Sequence, residues 1–414
     1  MSNVTKPIVL DETMQSIKDL LEAHNHLVSH QNAAIDLLAS DKRATLAADV
    51  ATVAVLAKNG ELLEMMDYGD QLAPAWRFGE TEYAPEMNLC HEADAELEDG
   101  ETVHGVFFEW DKTIPTGMPF DSPEAIAYFD GTEGAGTHHI EIGLAYGDGW
   151  VAGDSIQFTL NVAPADGDQL VIALGTDPKS NPTDGRTWTL YAKGGTEVKD
   201  TGTTSNGTGG TSIGSTSTEV AQKTNGKINA PSRAVYGYNR WSQSGLRQWL
   251  NSTAIAGAWW TAQNPWDRPA SQAATVDGFL SGYAEEVYRH FKPIRVVTVA
   301  CNADDNVQDI TYDRVFLSSL EQMYCVPQFA GVEGECWEYY KRLLGRTSPA
   351  PTGKTYARLK KYALNATTSA QYCFRRSASR AGAYNVWYSL TSGNVTTAYA
   401  YYAISCAPGV FLSE

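Results

Sequence analysis

Residues 375–411 read RRSASRAGAYNVWYSLTSGNVTTAYAYYAISCAPGVF. The wider span 371–414 holds nine aromatic residues and only four charged ones, Arg375, Arg376, Arg380 and Glu414. Tyr384, Tyr388, Tyr399, Tyr401 and Tyr402 are set among Ala, Ser, Thr, Gly and Asn. A core sheet would draw on Val, Ile, Leu and Phe, which are sparse here. Rigid amphipathic tyrosines with small polar neighbours make up a contact surface instead. The segment predicts a binding face at the end of the last domain.

Upstream of that face the chain changes character several times. At the start, Met14, Leu21, Val28 and Ile35 fall at position a of a seven-residue repeat, and Leu10, Ile17, His24, Gln31 and Leu38 at d. That spacing predicts a helical coiled-coil stalk over 1–58, with His24 and Gln31 as polar layers. From about Tyr68 the apolar period becomes two. Ile156, Phe158, Leu160 and Val162 share one face, Trp188, Leu190 and Ala192 another, and Asp-Gly turns separate them. Residues 59–200 therefore predict a β-sandwich-like domain. Residues 201–225, rich in Gly, Ser and Thr, predict a linker. Helical signal at Ser244–Asn251 and Gly278–Phe291, with buried strands at Ile294–Ala300 and Val315–Leu317, marks a mixed domain over 226–414. The expected fold class is α+β.

Charge follows the same division. The chain has a net charge of -18, yet residues 61–200 alone carry 28 acids and 6 bases, and residues 201–414 carry 14 acids and 20 bases. An excess of carboxylates on this scale argues against nucleic acid as the partner, because a phosphate backbone needs clustered positive charge. No apolar run reaches the roughly 18–20 residues of a membrane-spanning helix, so no membrane insertion is expected. The opening residues lack a basic and apolar leader pattern. Six cysteines are too few for a disulfide scaffold.

Motifs with catalytic or metal-binding overtones are weak. Ser348–Thr355 ends in Gly353-Lys354-Thr355, but Pro349 and Pro351 remove the backbone donors that a phosphate loop uses. His24, His26 and His30 lie near one another on the stalk, and His138-His139 sit in a Gly-rich turn with Glu133 and Glu141 close by. Asp304, Asp305, Asn306, Asp309 and Asp313 form an acidic loop where calcium is conceivable, although the spacing is not that of an EF-hand. Cys325 and Cys336 are the close cysteine pair, and Cys373 and Cys406 read as core thiols. No cofactor other than calcium is suggested.

The frame Arg376-Ser377-Ala378, Arg380, Val386-Trp387, Ser392-Gly393-Asn394-Val395 and Pro408-Gly409-Val410 resembles the variable region of diversity-generating retroelement variable proteins. Trp241, Leu246, Trp249-Leu250-Asn251 and Val315-Phe316-Leu317-Ser318 are similar to further signatures of that class. The resemblance covers about the last 190 residues. It implies a C-type lectin fold of the formylglycine-generating-enzyme type over 226–414, with a variable region at 377–405. In that family, mutagenesis of adenines excludes Lys, Glu, Gln, Met and Trp from diversified positions. None of the first four occurs between Ser377 and Ser405, and Trp387 belongs to the frame.

Position between frame residues then implies Ser379, Ala381, Gly382, Tyr384, Ser389, Leu390, Thr396, Thr397, Tyr399, Tyr401, Tyr402 and Ile404 as ligand-binding, diversified sites, with Asn385 either frame or variable. Trp387 is expected to be buried, and Arg376 and Arg380 to pair with backbone carbonyls or carboxylates. Tyr399→Ala is expected to weaken binding with little change in melting temperature. The implied function is a non-enzymatic adhesin, a receptor-binding tail-fibre tip of a phage. It would act outside the cell as a homotrimer, with other virion tail proteins, on a bacterial surface protein or glycan. The alternatives are a formylglycine-generating-type oxidoreductase and a bacterial surface-displayed variable protein.

Overall fold

The computed structural model describes residues 49–143, 151–173, 183–216 and 227–414, together with Lys18, Leu20, Leu21 and His24. Strands dominate it. Among the described residues there are twenty-three strands and five α-helices, the longest of which, Val50–Lys58, has nine residues. This overturns the expected α+β class with its helical stalk. The continuous described stretch of the expected stalk, Val50–Lys58, is no rod. It buries Val50, Val53, Ala54 and Ala57 and packs against the strands Thr102–Trp110 and Gly409–Leu412. Its small, β-branched residues let a helix lie close on a sheet, and Asp49 caps it by accepting from the Thr52 amide at 3.0 Å. Most of the heptad positions, and with them the trimer expectation, lie outside the described residues.

Two hydrophobic cores organise the rest, and they divide the chain differently from the 59–200, 201–225 and 226–414 scheme. The larger core joins residues 50–120 to residues 241–412. Its main sheet runs Gln71–Leu72, Met87–Glu96, Thr102–Trp110, Gly409–Leu412, Val315–Phe316. The chain's last strand thus sits between early and middle strands, with Gly409 opposite Glu109 and Leu412 opposite Val106. Gly105 permits this closure, because a Cβ there would lie 2.4 Å from the Leu412 carbonyl oxygen.

The smaller core is a sandwich placed within the larger unit. One sheet orders Val198–Thr203, Thr187–Tyr191, Asp166–Ile172, Ala127–Asp130, and the other Ser205–Asn206, Ser155–Leu160, Gly136–Ile142, Thr211–Thr216. Ile140, Ile156, Phe158, Leu160, Leu170, Trp188 and Leu190 fill it. The alternation read from the sequence at Ile156, Phe158 and Leu160 is realised here. The Gly/Thr-rich segment from 201 to 216 is built into both sheets and not left as a tether. Gly202 lies against the Trp188 ring, where a Cβ would come within 2.7 Å. His138 and His139 likewise belong to the Gly136–Ile142 strand, not to a turn.

Candidate binding face

A further four-stranded sheet, ordered Val395–Tyr399, Asn385–Ser389, Cys373–Ala378, Ser405–Cys406, carries the tyrosine-rich segment. It is anchored in the larger core by Phe374, Val386, Trp387, Val395 and Ala398. The expected burial of Trp387 holds, at 8% exposure. Arg376 is buried as well and donates to the Leu317 carbonyl at 2.6 Å, to Gln322 Oε1 and to the Glu333 carbonyl. Burial pulls its guanidinium down to about 10, which leaves it charged at neutral pH. Arg380 is exposed and differs from expectation. Its Nε donates to Asn302 Oδ1 at 3.0 Å, a side-chain amide and not a carboxylate.

Outward, the rings of Tyr384, Tyr399, Tyr401 and Tyr402 form one cluster, tilted against one another except for the stacked pair Tyr399–Tyr401. Tyr399 is its hub, with centroids 5.7 Å from Tyr384, 6.3 Å from Tyr401 and 5.4 Å from Tyr402, while Tyr401 and Tyr402 lie 4.7 Å apart. Under the hub sits Tyr236, from the helix Pro231–Tyr236, 4.2 Å from the Tyr399 ring and stacked on it. Rings held against one another lose little further freedom on contact with a ligand. Tyr372 extends the aromatic surface, 5.8 Å from Tyr388 and 46% exposed. Tyr236 and Tyr372 were not legible as site residues, because both lie outside the 377–405 window.

The loop between the first two strands of the segment is fixed from below. Asn239 is fully buried, and its Nδ2 donates to the carbonyls of Ser379, Gly382 and Asn385 at 3.2, 2.8 and 2.8 Å. Its own N–H donates to the Ala383 carbonyl at 2.7 Å. The helix before it is pinned by fully buried Arg233, whose Nη2 lies 2.8 Å from Glu124 Oε1 and whose guanidinium covers the Tyr238 ring at 3.3 Å. Asn239→Ala would remove all three donations. The Gly382 and Asn385 carbonyls keep backbone donors, from Asn385 N–H at 3.3 Å and Ser379 N–H at 2.9 Å, while the Ser379 carbonyl loses its donor at about 1–3 kcal/mol, on top of the lost packing of the buried amide. A fall of a few kcal/mol in unfolding free energy, measured in urea, is the expected result.

The thirteen implied ligand-binding residues separate by exposure. Ala381 and Tyr402 are exposed, and Tyr384, Asn385, Leu390, Thr396, Thr397, Tyr399 and Tyr401 are half-buried. Ser379, Gly382, Ser389 and Ile404 are buried. Ser389 Oγ accepts from Arg375 Nη2 at 3.0 Å, and Ile404 bridges Met118 in the larger core. These four lie beneath the face and not on it.

The acidic loop is committed elsewhere. Asp309 accepts from Arg240 Nε and Nη2, both at 2.6 Å, and Asp313 from Arg247 Nε at 2.7 Å and Trp241 Nε1 at 2.9 Å. Among the described residues, no group of three or more His, Cys, Asp and Glu side chains is arranged to hold a metal ion. His26 and His30 lie outside the described residues. All six cysteines are free, and burial pushes the Cys325 and Cys336 thiols up to about 11. Among the described residues no helix is long and apolar enough to cross a membrane.

No curated protein and no solved structure matches the chain. Residues 217–409, which include the whole tyrosine cluster, match a family model described as a domain of unknown function, DUF6273.

Proposed function

We propose that the chain is a ligand-binding protein, not an enzyme, and that its tyrosine face is diversified by a retroelement. On this reading it works as the receptor-binding tip of a phage tail fibre, on a protein or glycan of a bacterial surface. The observation that carries the proposal is the split between frame and face. Arg376 and Trp387 are buried in the short sheet, while Tyr384, Tyr399, Tyr401 and Tyr402, on and beside its strands, pack ring against ring and are half-buried or exposed. Side chains on such a face can be exchanged with small effects on folding, while the buried frame keeps the backbone in place. The near absence of charge in 381–405 suits a partner met through aromatic area and hydroxyl groups.

The decisive experiment is sequencing of the DNA around the gene. A near-copy of the stretch that codes for residues 377–405, differing only at adenines and lying beside a reverse transcriptase gene, is the expected finding. Differences should fall at the codons of the exposed and half-buried positions and spare Ser389 and Ile404. Complete flanking sequence with neither feature would overturn retroelement diversification.

A further inference from the structure

A cleft of about 610 Å³ opens between the strands Met87–Glu96 and Ile294–Val299, with Phe107, Phe316 and Trp337 among its walls. The two strands meet at one end through an antiparallel bridge between Leu97 and Ile294. Continued in that register, Asp94 would face Val297, but among the described residues no ladder joins them.

Backbone direction follows from the partners on the other sides. Ala300 N–H donates to the Val307 carbonyl, in line with the pairing of Val296 to Thr311 and Thr298 to Asp309. Even-numbered residues of that strand therefore turn their backbone groups to the strand Gln308–Asp313, and odd-numbered ones turn away. Val299 N–H confirms the direction, since Glu333 Oε1 accepts from it at 3.1 Å. On the other strand, Leu97 N–H donates to the Glu101 carbonyl, so odd-numbered residues face Thr102–Trp110 and Asp94 turns away. Asp94 and Val297, both in the cleft lining, thus turn their backbone N–H and C=O groups away from their own ladders.

Unpaired strand edges are templates for an added strand, and here two edges flank one slot. The rim defines the charge of what would fit. Glu92, Asp94, Glu96 and Glu335 line the cleft; against these four carboxylates stand His104, 2.8 Å from Asp94 and 3.4 Å from Glu92, and Arg295, 3.7 Å from Glu96, while Glu335 is 88% exposed. In the wall, Arg376 Nε and His91 Nδ1 are buried without a hydrogen-bond partner. Burial lowers the His91 pKa, so its ring is neutral at pH 7. A peptide backbone offers both an acceptor and a donor to such atoms.

We propose that this cleft docks an extended, basic segment of a partner protein, paired as an added strand between the two edges. The inference is independent of the tyrosine face. The test titrates the full-length chain with a capped peptide, Lys-Val-Lys-Val-Lys-Val, by fluorescence anisotropy. Two further peptides serve as controls, one with every Lys replaced by Glu and one with the Lys amides N-methylated. The first peptide is expected to bind at least about tenfold more tightly than either control, and Glu335→Lys, at a site 88% exposed, should weaken it severalfold. Equal binding of the N-methylated peptide would show adsorption by charge without strand pairing and overturn the proposal. Loss of binding on Tyr402→Ala with no effect of Glu335→Lys would place the peptide on the tyrosine face and overturn it as well.

Discussion

Glu109→Ala is expected to destabilise the protein by about 3–5 kcal/mol, read as a shift of the urea unfolding midpoint. Glu109 is fully buried at the centre of the main sheet. Its Oε1 accepts from Ser318 Oγ at 2.6 Å and lies 3.4 Å from Arg375 Nη1. Its Oε2 meets Lys361 Nζ at 3.0 Å and accepts from the Tyr340 hydroxyl. Burial alone would raise the Glu109 carboxyl, but Lys361 and Arg375 outweigh it and hold it below the ordinary carboxylate value. Alanine at this position leaves two buried cations with no counter-charge, which is the expensive half of a buried network.

Two controls separate charge from packing. Glu109→Gln keeps an acceptor for Ser318 and removes the charge, so most of the loss should persist. The triple variant Glu109→Leu, Lys361→Met, Arg375→Met removes all three charges together and should recover much of it. The sign of the pH dependence is also fixed. A depressed native pKa stabilises above the unfolded value, near 4.5, and that stabilisation is lost as pH falls through the native pKa. Wild-type stability should therefore drop in acid, and the triple variant should lack this part of the slope.

Local patterns were legible in the sequence where a residue's neighbours in the chain decide its environment. The alternation over Ile156, Phe158 and Leu160 needs only a pleat and one buried face, and the strand Ser155–Leu160 shows both. The helix read at Ser244–Asn251 forms as Gly245–Leu250, with Ser244 capping it by accepting from the Arg247 amide at 3.2 Å. Long-range pairing was not legible. Nothing near Glu109 announces Gly409 as its cross-strand partner, so the acidic first half read as a separate domain. The aspartates of the loop at 304–313 looked free because Arg240 and Arg247, which hold Asp309 and Asp313, come some seventy residues earlier in the chain. Serine deceived for another reason. Its small hydroxyl suits a solvent face and a buried bond equally, and Ser389 turned out to serve Arg375.

The tyrosine face should behave in the opposite way to Glu109, with a large effect on binding and a small one on stability. Joint replacement Tyr401→Ala, Tyr402→Ala removes two adjoining rings, one of them 42% exposed. Truncation of aromatic residues at the centre of a contact costs about 2 kcal/mol or more, and even that much for the pair together should, on the proposed function, weaken attachment of fluorescently labelled full-length protein to receptor-bearing bacterial cells by at least about 30-fold. The unfolding free energy should shift by only about 1 kcal/mol, as surface truncations do. Tyr399→Ala is the sharper case, because its ring stacks on Tyr236 at 4.2 Å as well as facing outward. Loss of that aromatic contact should cost about 0.5–1.5 kcal/mol of stability beside the binding defect. Tyr399→Phe keeps the stack and loses the hydroxyl, so it should restore stability and reveal how much of attachment depends on the hydroxyl group. A stability loss above about 3 kcal/mol for Tyr399→Ala would mark a core side chain, and unchanged attachment in the Tyr401, Tyr402 variant would remove this face as the contact surface.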